Sequence, residues 1–212
     1  MPTEESKTAN SYHHGDLKNA LVQAAWQELA EKGVEKISLR SIARIAGVSQ
    51  TAPYRHFKDK NHLLIAMAVE THGHIAQAMS AAIQSETDIK EKLYKIGKAY
   101  LQYAQSNPGR YKLIFGPSIQ NRKDYDELQE AGLASFGVLI QQVAEAIKVS
   151  PKYQNYPDHE ALAEMISHNM WCSVHGRSTL LIDGFYDSST LVEDLDKFLK
   201  EQLRLDLNII FD

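Results

Sequence analysis

The sequence predicts an all-α protein of about nine helices, arranged as an N-terminal three-helix helix-turn-helix head joined to a larger helical body. Three observations lead there. Apolar residues recur at three- and four-residue intervals along most of the 212 residues, the period of an amphipathic helix. No region alternates with period two for long enough to suggest a sheet. Glycine, proline and small capping residues punctuate the periodic stretches, as they do at helix ends. A hydrophobic content of 43% and a mean hydropathy of -0.37 are those of a globular chain with enough apolar material for a core.

Residues 1–10 are polar, lack periodicity and read as a disordered lead. Over residues 16–31, Leu17, Ala20, Leu21, Ala24, Ala25 and Leu29 keep helical spacing, with Gly33 as the stop. Ser38 is placed to cap a short helix carrying Ile42, Ala43 and Ala46 on one face and ended by Gly47. Val48 and Ser49 lead into a third short helix, and Asp59 caps a fourth that runs to about residue 85. Further helices are expected over 89–105, in the short apolar YKLIFG segment (111–116), and over 125–147, 158–182 and 189–207. The breaks between them are Asn107-Pro108-Gly109, Gly116-Pro117, Ser150-Pro151 and Asp183-Gly184. The expected domains are the lead (1–10), the head (11–59) and the body (60–212).

Charge divides along the same line. The net charge is -4, yet residues 10–65 carry eight Lys and Arg against five Asp and Glu, a balance of +3 that leaves -7 elsewhere. A basic head on an acidic body suits a nucleic-acid reader whose body stays off the phosphates. The single cysteine, Cys172, rules out an internal disulfide framework and suits a reducing compartment. No charged segment followed by an apolar run opens the chain, and no apolar run approaches the ~18 residues of a membrane span. The expected location is the cytoplasm.

A DNA-reading helix must be short, held at its N-terminus and crossed by a supporting helix. Ser49 is placed to cap such a helix, and Val48 and Phe57 to dock it against Ile42 and Leu63. Gln50, Thr51, Ala52, Tyr54, Arg55 and His56 then face outward, with Arg40 nearby on the supporting helix. Gln pairs well with adenine, Arg with guanine, and Thr or Ala with the thymine methyl. Tyr54 and Lys60 suit phosphates, Lys60 because it sits at a helix N-terminus. Pro53 removes one backbone donor and holds the recognition helix to little more than two turns.

Residues 38–64 resemble the DNA-binding signature of TetR-type (TetR/AcrR) bacterial transcriptional regulators. The matching elements are the Ser38 cap, Ile42-Ala43, Ala46-Gly47-Val48-Ser49, Tyr54, His56-Phe57, Lys60 and Leu63-Leu64. Thr51 and Pro53 depart from the usual pattern. YHHGDL (12–17) and Trp171-x-x-x-His175-Gly176 are similar to the subgroup whose C-terminal domain is named for its Trp, His and Gly. The resemblance implies a homodimer with two heads in successive major grooves of a palindromic operator. It also implies a ligand cavity in the body that controls their separation.

In the body, His168, Trp171, Cys172 and His175 stand at i, i+3, i+4 and i+7 and share one helix face. Core packing, the wall of an effector cavity, or a metal or redox site would each use such a face. A metal site lacks an identifiable fourth ligand. Tyr100, Tyr103, Tyr111 and Phe115 are spaced like core residues, of which one or two could border a cavity. The candidate ligand-binding residues are therefore His168, Trp171, His175, Phe115 and Tyr103. His72 and His74 are two apart and point to different faces. The last helix carries Leu191, Leu195, Phe198, Leu199, Gln202 and Leu205 in a broad stripe that could pair with its copy.

The expected function is a sequence-specific DNA-binding regulator, a repressor released by a small, largely apolar effector, with double-stranded DNA and a second copy of itself as partners. An architectural DNA-binding protein without an effector is the alternative. A helical enzyme is disfavoured, because no Gly-rich phosphate loop, nucleophile elbow or pair of carboxylates placed beside a histidine is identifiable. No cofactor, metal or membrane contact is expected.

Overall fold

The structure, a computed structural model, describes residues 14–186 and 194–211. The expected disordered lead, Tyr12, His13 and Leu191 lie outside the described residues. Eight α-helices and four 3-10 turns make up the described chain, with no strand among them. The helices are α1 (His14–Lys32), α2 (Leu39–Ile45), α3 (Lys60–Ile83), α4 (Ile89–Ser106), α5 (Pro108–Phe115), α6 (Asp126–Val149), α7 (His159–Ile182) and α8 (Leu195–Phe211). They form two compact units, one ending at Met67 and the other beginning at Ala68, so the division falls inside α3.

In the first unit, Leu21, Ala25, Ile42, Ala43, Phe57 and Leu63 are buried together. Ser38 caps α2 in a capping box: its Oγ accepts from Ser41 N–H at 3.1 Å, and Ser41 Oγ accepts from Ser38 N–H at 3.0 Å. Glu28 of α1, only 2% exposed, accepts a hydrogen bond from the Ser41 hydroxyl and so ties α1 to the first turn of α2. The end of α2 is a Schellman motif, with Val48 N–H on Ala43 O at 3.0 Å and Gly47 N–H on Arg44 O at 3.3 Å. The motif demands a left-handed residue, and Gly47 has φ of 67°.

The third short helix of the head is the main departure from expectation. It is a single 3-10 turn, Ala52–Arg55, with Pro53 in its first positions and buried. Ser49 does not cap it; its Oγ lies 3.2 Å from Thr51 Oγ1, while the backbone closes through Ala52 N–H on Ser49 O at 3.0 Å. Pro53 carries no donor, and its carbonyl accepts from both His56 and Phe57 N–H at 2.9 Å, which closes the turn before a second can form. The ninth expected helix is this turn. Asp59 caps α3 as expected, accepting His62 N–H at 3.0 Å, and its carboxyl is held below the usual range chiefly by the His62 ring and backbone bonds.

In the second unit α4 packs against α5, α6, α7 and α8, and α7 against α6 and α8. Asp88 and Asp158 cap α4 and α7, accepting from Glu91 and Ala161 N–H at 2.8 and 3.0 Å. Helix α8 runs to Phe211, past the expected end at 207, because its last carbonyls find donors. Ser150 Oγ donates to Ile210 O at 2.8 Å and Tyr153 Oη to Ile209 O at 2.6 Å. The face it buries is Leu203, Leu207 and Ile210, each contributing about 1.5–3 kcal/mol. That phase differs from the stripe expected from Phe198, Leu199, Gln202 and Leu205: the first three are half-buried and Leu205 is 59% exposed.

Gly47→Ala is expected to destabilise the protein by about 1–2 kcal/mol, the cost of a side chain in the left-handed region. Urea unfolding checks it; an unchanged midpoint would mean that the turn after α2 relaxes without strain.

Candidate functional site

In the first unit the turn between α2 and α3 presents a polar surface. Arg40, Ser49, Gln50, Thr51 and Arg55 are exposed, Tyr54 is 52% exposed and Ala52 is half-buried. These are the groups expected to face outward, with Arg40 on α2, Ser49, Gln50 and Thr51 leading into the 3-10 turn, and Ala52, Tyr54 and Arg55 on that turn in place of a helix. Two candidates behave differently. His56 is half-buried, with its Nε2 shielded from solvent and without a partner among the described residues. Lys60 does not reach into solvent: its Nζ donates to Val34 O at 2.8 Å and Glu35 O at 3.3 Å. The ammonium satisfies the carbonyls of the 3-10 turn Val34–Lys36, a structural task the spacing could not reveal.

The second unit contains a partly open cavity of about 310 Å³, within the range of small-molecule sites. Its wall is mostly apolar. Tyr100, Phe115, Phe136 and Trp171 supply aromatic surface from α4, α5, α6 and α7, and aliphatic side chains including Ile75, Leu139 and Leu207 close the rest.

The aromatic wall is anchored by polar tips behind it. Trp171 Nε1–H donates to Tyr100 Oη at 3.2 Å, Tyr100 Oη lies 3.1 Å from Tyr111 Oη, and Tyr111 Oη meets His175 Nδ1. Donation in that order uses each hydroxyl proton once and leaves His175 neutral with Nδ1 accepting. Burial favours that neutral form, pushing the His175 pKa down and that of Tyr100 up to about 12.

Of the five candidate ligand residues, Trp171 and Phe115 line the cavity. His175 stands one layer behind, bonded to Tyr111 and 4.4 Å between ring centroids from Phe115. His168 is on the exposed side of α7, its Nδ1 3.0 Å from Glu164 O and its ring edge-on to Phe136. Tyr103 is outside the wall: it shares a helix face with Ile96 and Tyr100 but lies one turn further along α4, near Arg110 and Glu70. The expected common face of α7 is thus split between solvent and wall. Cys172 is exposed, and no group of three or more His, Cys, Asp or Glu among the described residues could hold a metal ion.

The polar side chains His72, Arg122, Gln129, Ser135 and Asp206 of the wall were not anticipated. His72 follows the helical spacing of Ile75 and Met79, so periodicity could have placed it. Its Nδ1 lies 3.1 Å from Ser135 Oγ, which itself donates to Gly132 O at 2.9 Å, so His72 donates to Ser135. Burial first, and the nearby charge of Arg122 second, push the His72 pKa down to about 4. Asp206 accepts from Ser173 Oγ at 2.9 Å and from Arg177. Arg122 comes from a connecting 3-10 turn, Arg122–Asp124, where no pattern in the sequence marks it.

Two family descriptions match the chain: "Bacterial regulatory proteins, tetR family" over residues 21–67 and "Tetracyclin repressor-like, C-terminal domain" over residues 93–205. Among curated relatives, the nucleoid occlusion factor SlmA of Haemophilus influenzae is 26% identical over 108 residues, 50% of this chain and 48% of that protein. The chain thus spans about half the length of the curated relatives it matches. A protein of unknown function from Rhodococcus sp. RHA1 is similar in structure, with a TM-score of 0.76 at 26% identity, covering 96% of this chain and 100% of that one. FadR from Bacillus subtilis, solved in complex with stearoyl-CoA, has a TM-score of 0.66 at 19% identity and covers 87% and 96%.

His72 makes stability pH-dependent. Its folded pKa lies below the ordinary value of 6.5, so the unfolded chain binds the proton first and stability falls as pH drops from about 6.5 toward 4. Between pH 7 and pH 5 the loss from this group is about 2 kcal/mol. Denaturant titrations at the two pH values should show a smaller loss for His72→Gln; equal losses would contradict the buried neutral imidazole.

Proposed function

The chain belongs to the TetR family of bacterial DNA-binding transcriptional regulators, and on that premise we propose that it is a homodimeric repressor released from a palindromic operator by a small, largely apolar effector. The observation that carries this reading is the mostly apolar cavity, lined by Trp171 and Phe115, in the same chain as a helix-turn-helix head. Gln50, Thr51, Ala52, Tyr54 and Arg55 would contact DNA, with Arg40 and Ser49 at the margin. The exposure of these side chains supports that assignment. Lys60 keeps the phosphate-side position, but its bonds to Val34 and Glu35 favour a positioning task.

Dimer formation is supported by exposed apolar residues on the last two helices, Met165 and Leu180 of α7 and Leu205 of α8, exposed by 54%, 41% and 59%. A twofold interface would cover them with the same surface from both copies. The Trp171, His175 and Gly176 signature favours the subgroup named for those residues. No helix of the described chain is long and apolar enough to cross a membrane.

Repression would hold the two recognition turns one helical repeat of DNA apart, about 34–36 Å. An effector that binds a differently spaced state more tightly draws the population off the operator. A tenfold loss of affinity needs only about 1.4 kcal/mol of differential binding. The architectural alternative draws support from the similarity to a nucleoid occlusion factor. It predicts many weak sites in place of a few strong palindromes.

Selection of bound duplexes from a random pool is expected to return a palindromic consensus, and a non-palindromic or absent consensus would overturn the repressor reading. Arg55→Ala or Gln50→Ala should relax base preference at one position per half-site, costing about 1–3 kcal/mol for a bidentate contact. Trp171→Ala should disturb the effector response more than operator affinity in a gel-shift assay. The opposite result would confine Trp171 to folding.

A further inference from the structure

The cavity wall holds one full charge without an opposite partner. Arg122 donates through Nη2 to Ile114 O, and its backbone carbonyl accepts from Gln129 Nε2 at 2.9 Å. Its Nη1 is shielded from solvent and has no hydrogen-bond partner among the described residues. No carboxylate among those residues offsets the guanidinium, whose pKa is shifted by desolvation alone. The acid in the wall, Asp206, is already committed to Arg177 and Ser173. Arginine cannot escape the cost of burial by losing its proton, so a charged donor stands ready beside an apolar space.

We propose that the effector cavity takes an apolar molecule bearing a single carboxylate, with Arg122 as its counter-ion. This rests on the reading of the cavity as an effector site and adds the chemistry of the head group. A carboxylate beside Arg122 would offset the charge of this half-buried guanidinium where it lines the cavity, a charge-assisted interaction. A cationic ligand would meet Arg122 with no free acid to receive it. A neutral apolar ligand would leave that charge without a counter-ion. His72, which feels the Arg122 charge, and its partner Ser135 add polar surface on the same wall. The remaining wall is aromatic and aliphatic, which fits the tail. At roughly 30 Å³ per non-hydrogen atom, the cavity holds about ten such atoms, the size of octanoate.

Isothermal titration of the full-length protein with octanoate, 1-octanol and octylamine at neutral pH tests the proposal. Octanoate should bind about tenfold or more tightly than 1-octanol, the scale of a hydrogen bond to a charged group, with octylamine weakest. Arg122→Gln should abolish the preference for octanoate over octanol, and Arg122→Lys should retain part of it. Thermal melts monitor the fold of both variants. If Arg122→Gln does not fold, the wild-type ranking and Arg122→Lys still decide. Octanol binding as tightly as octanoate would overturn the carboxylate inference and leave the apolar-effector reading standing. No binding of any of the three would overturn both.

Discussion

The larger unit depends on the hydroxyl of Tyr100. It accepts the indole proton of Trp171 and passes its own proton toward Tyr111 and His175, so one oxygen on α4 joins α5 and α7. Without these bonds, four large amphipathic side chains would bury polar tips at a cost of roughly 1–3 kcal/mol per unsatisfied group. With them, the rings stand as a fixed wall. A cavity in an interior that would otherwise pack to crystal-like density needs such support. The polar relay behind the wall keeps the apolar space in front of it open.

Most of the fold is legible in the sequence because its helices begin and end on strong local chemistry. Asp59 caps α3 where expected and Ser38 and Gly47 bracket α2, while α5 begins at Pro108, inside the expected break. What was not legible follows from tertiary partners. The end of α8 depends on donors from Ser150 and Tyr153, far away in sequence. The buried phase of that helix is set by what α4 presents to it. Its own periodicity did not reveal that.

The candidate sites divide the same way. Trp171 and Phe115 were identifiable as large aromatics among helical segments, and the wall uses both. His168 and His175 share their nominal face with Trp171, yet a helix face wide enough for all four touches solvent, wall and interior at once. Arg122 sits on a short connecting turn, where periodicity carries no information. In the head, the outward set was legible from residue type alone, whereas the collapse of the expected helix to one 3-10 turn follows from Pro53, whose carbonyl takes two donors. Rigidity there comes from a short closed turn, and the groups proposed to read bases gain it without the length of a full helix.

Gly97 lines the cavity at the contact of α4 with α8, and a Cβ placed on it would lie 2.7 Å from Leu203 Cδ2. The two helices meet there because one has no side chain. Any larger residue at 97 would drive Leu203 aside or take up part of the open space itself. The capacity of the chamber is therefore encoded at a position with no chemistry of its own. Evolution could resize the accepted molecule by a single codon while leaving the relay and the guanidinium untouched.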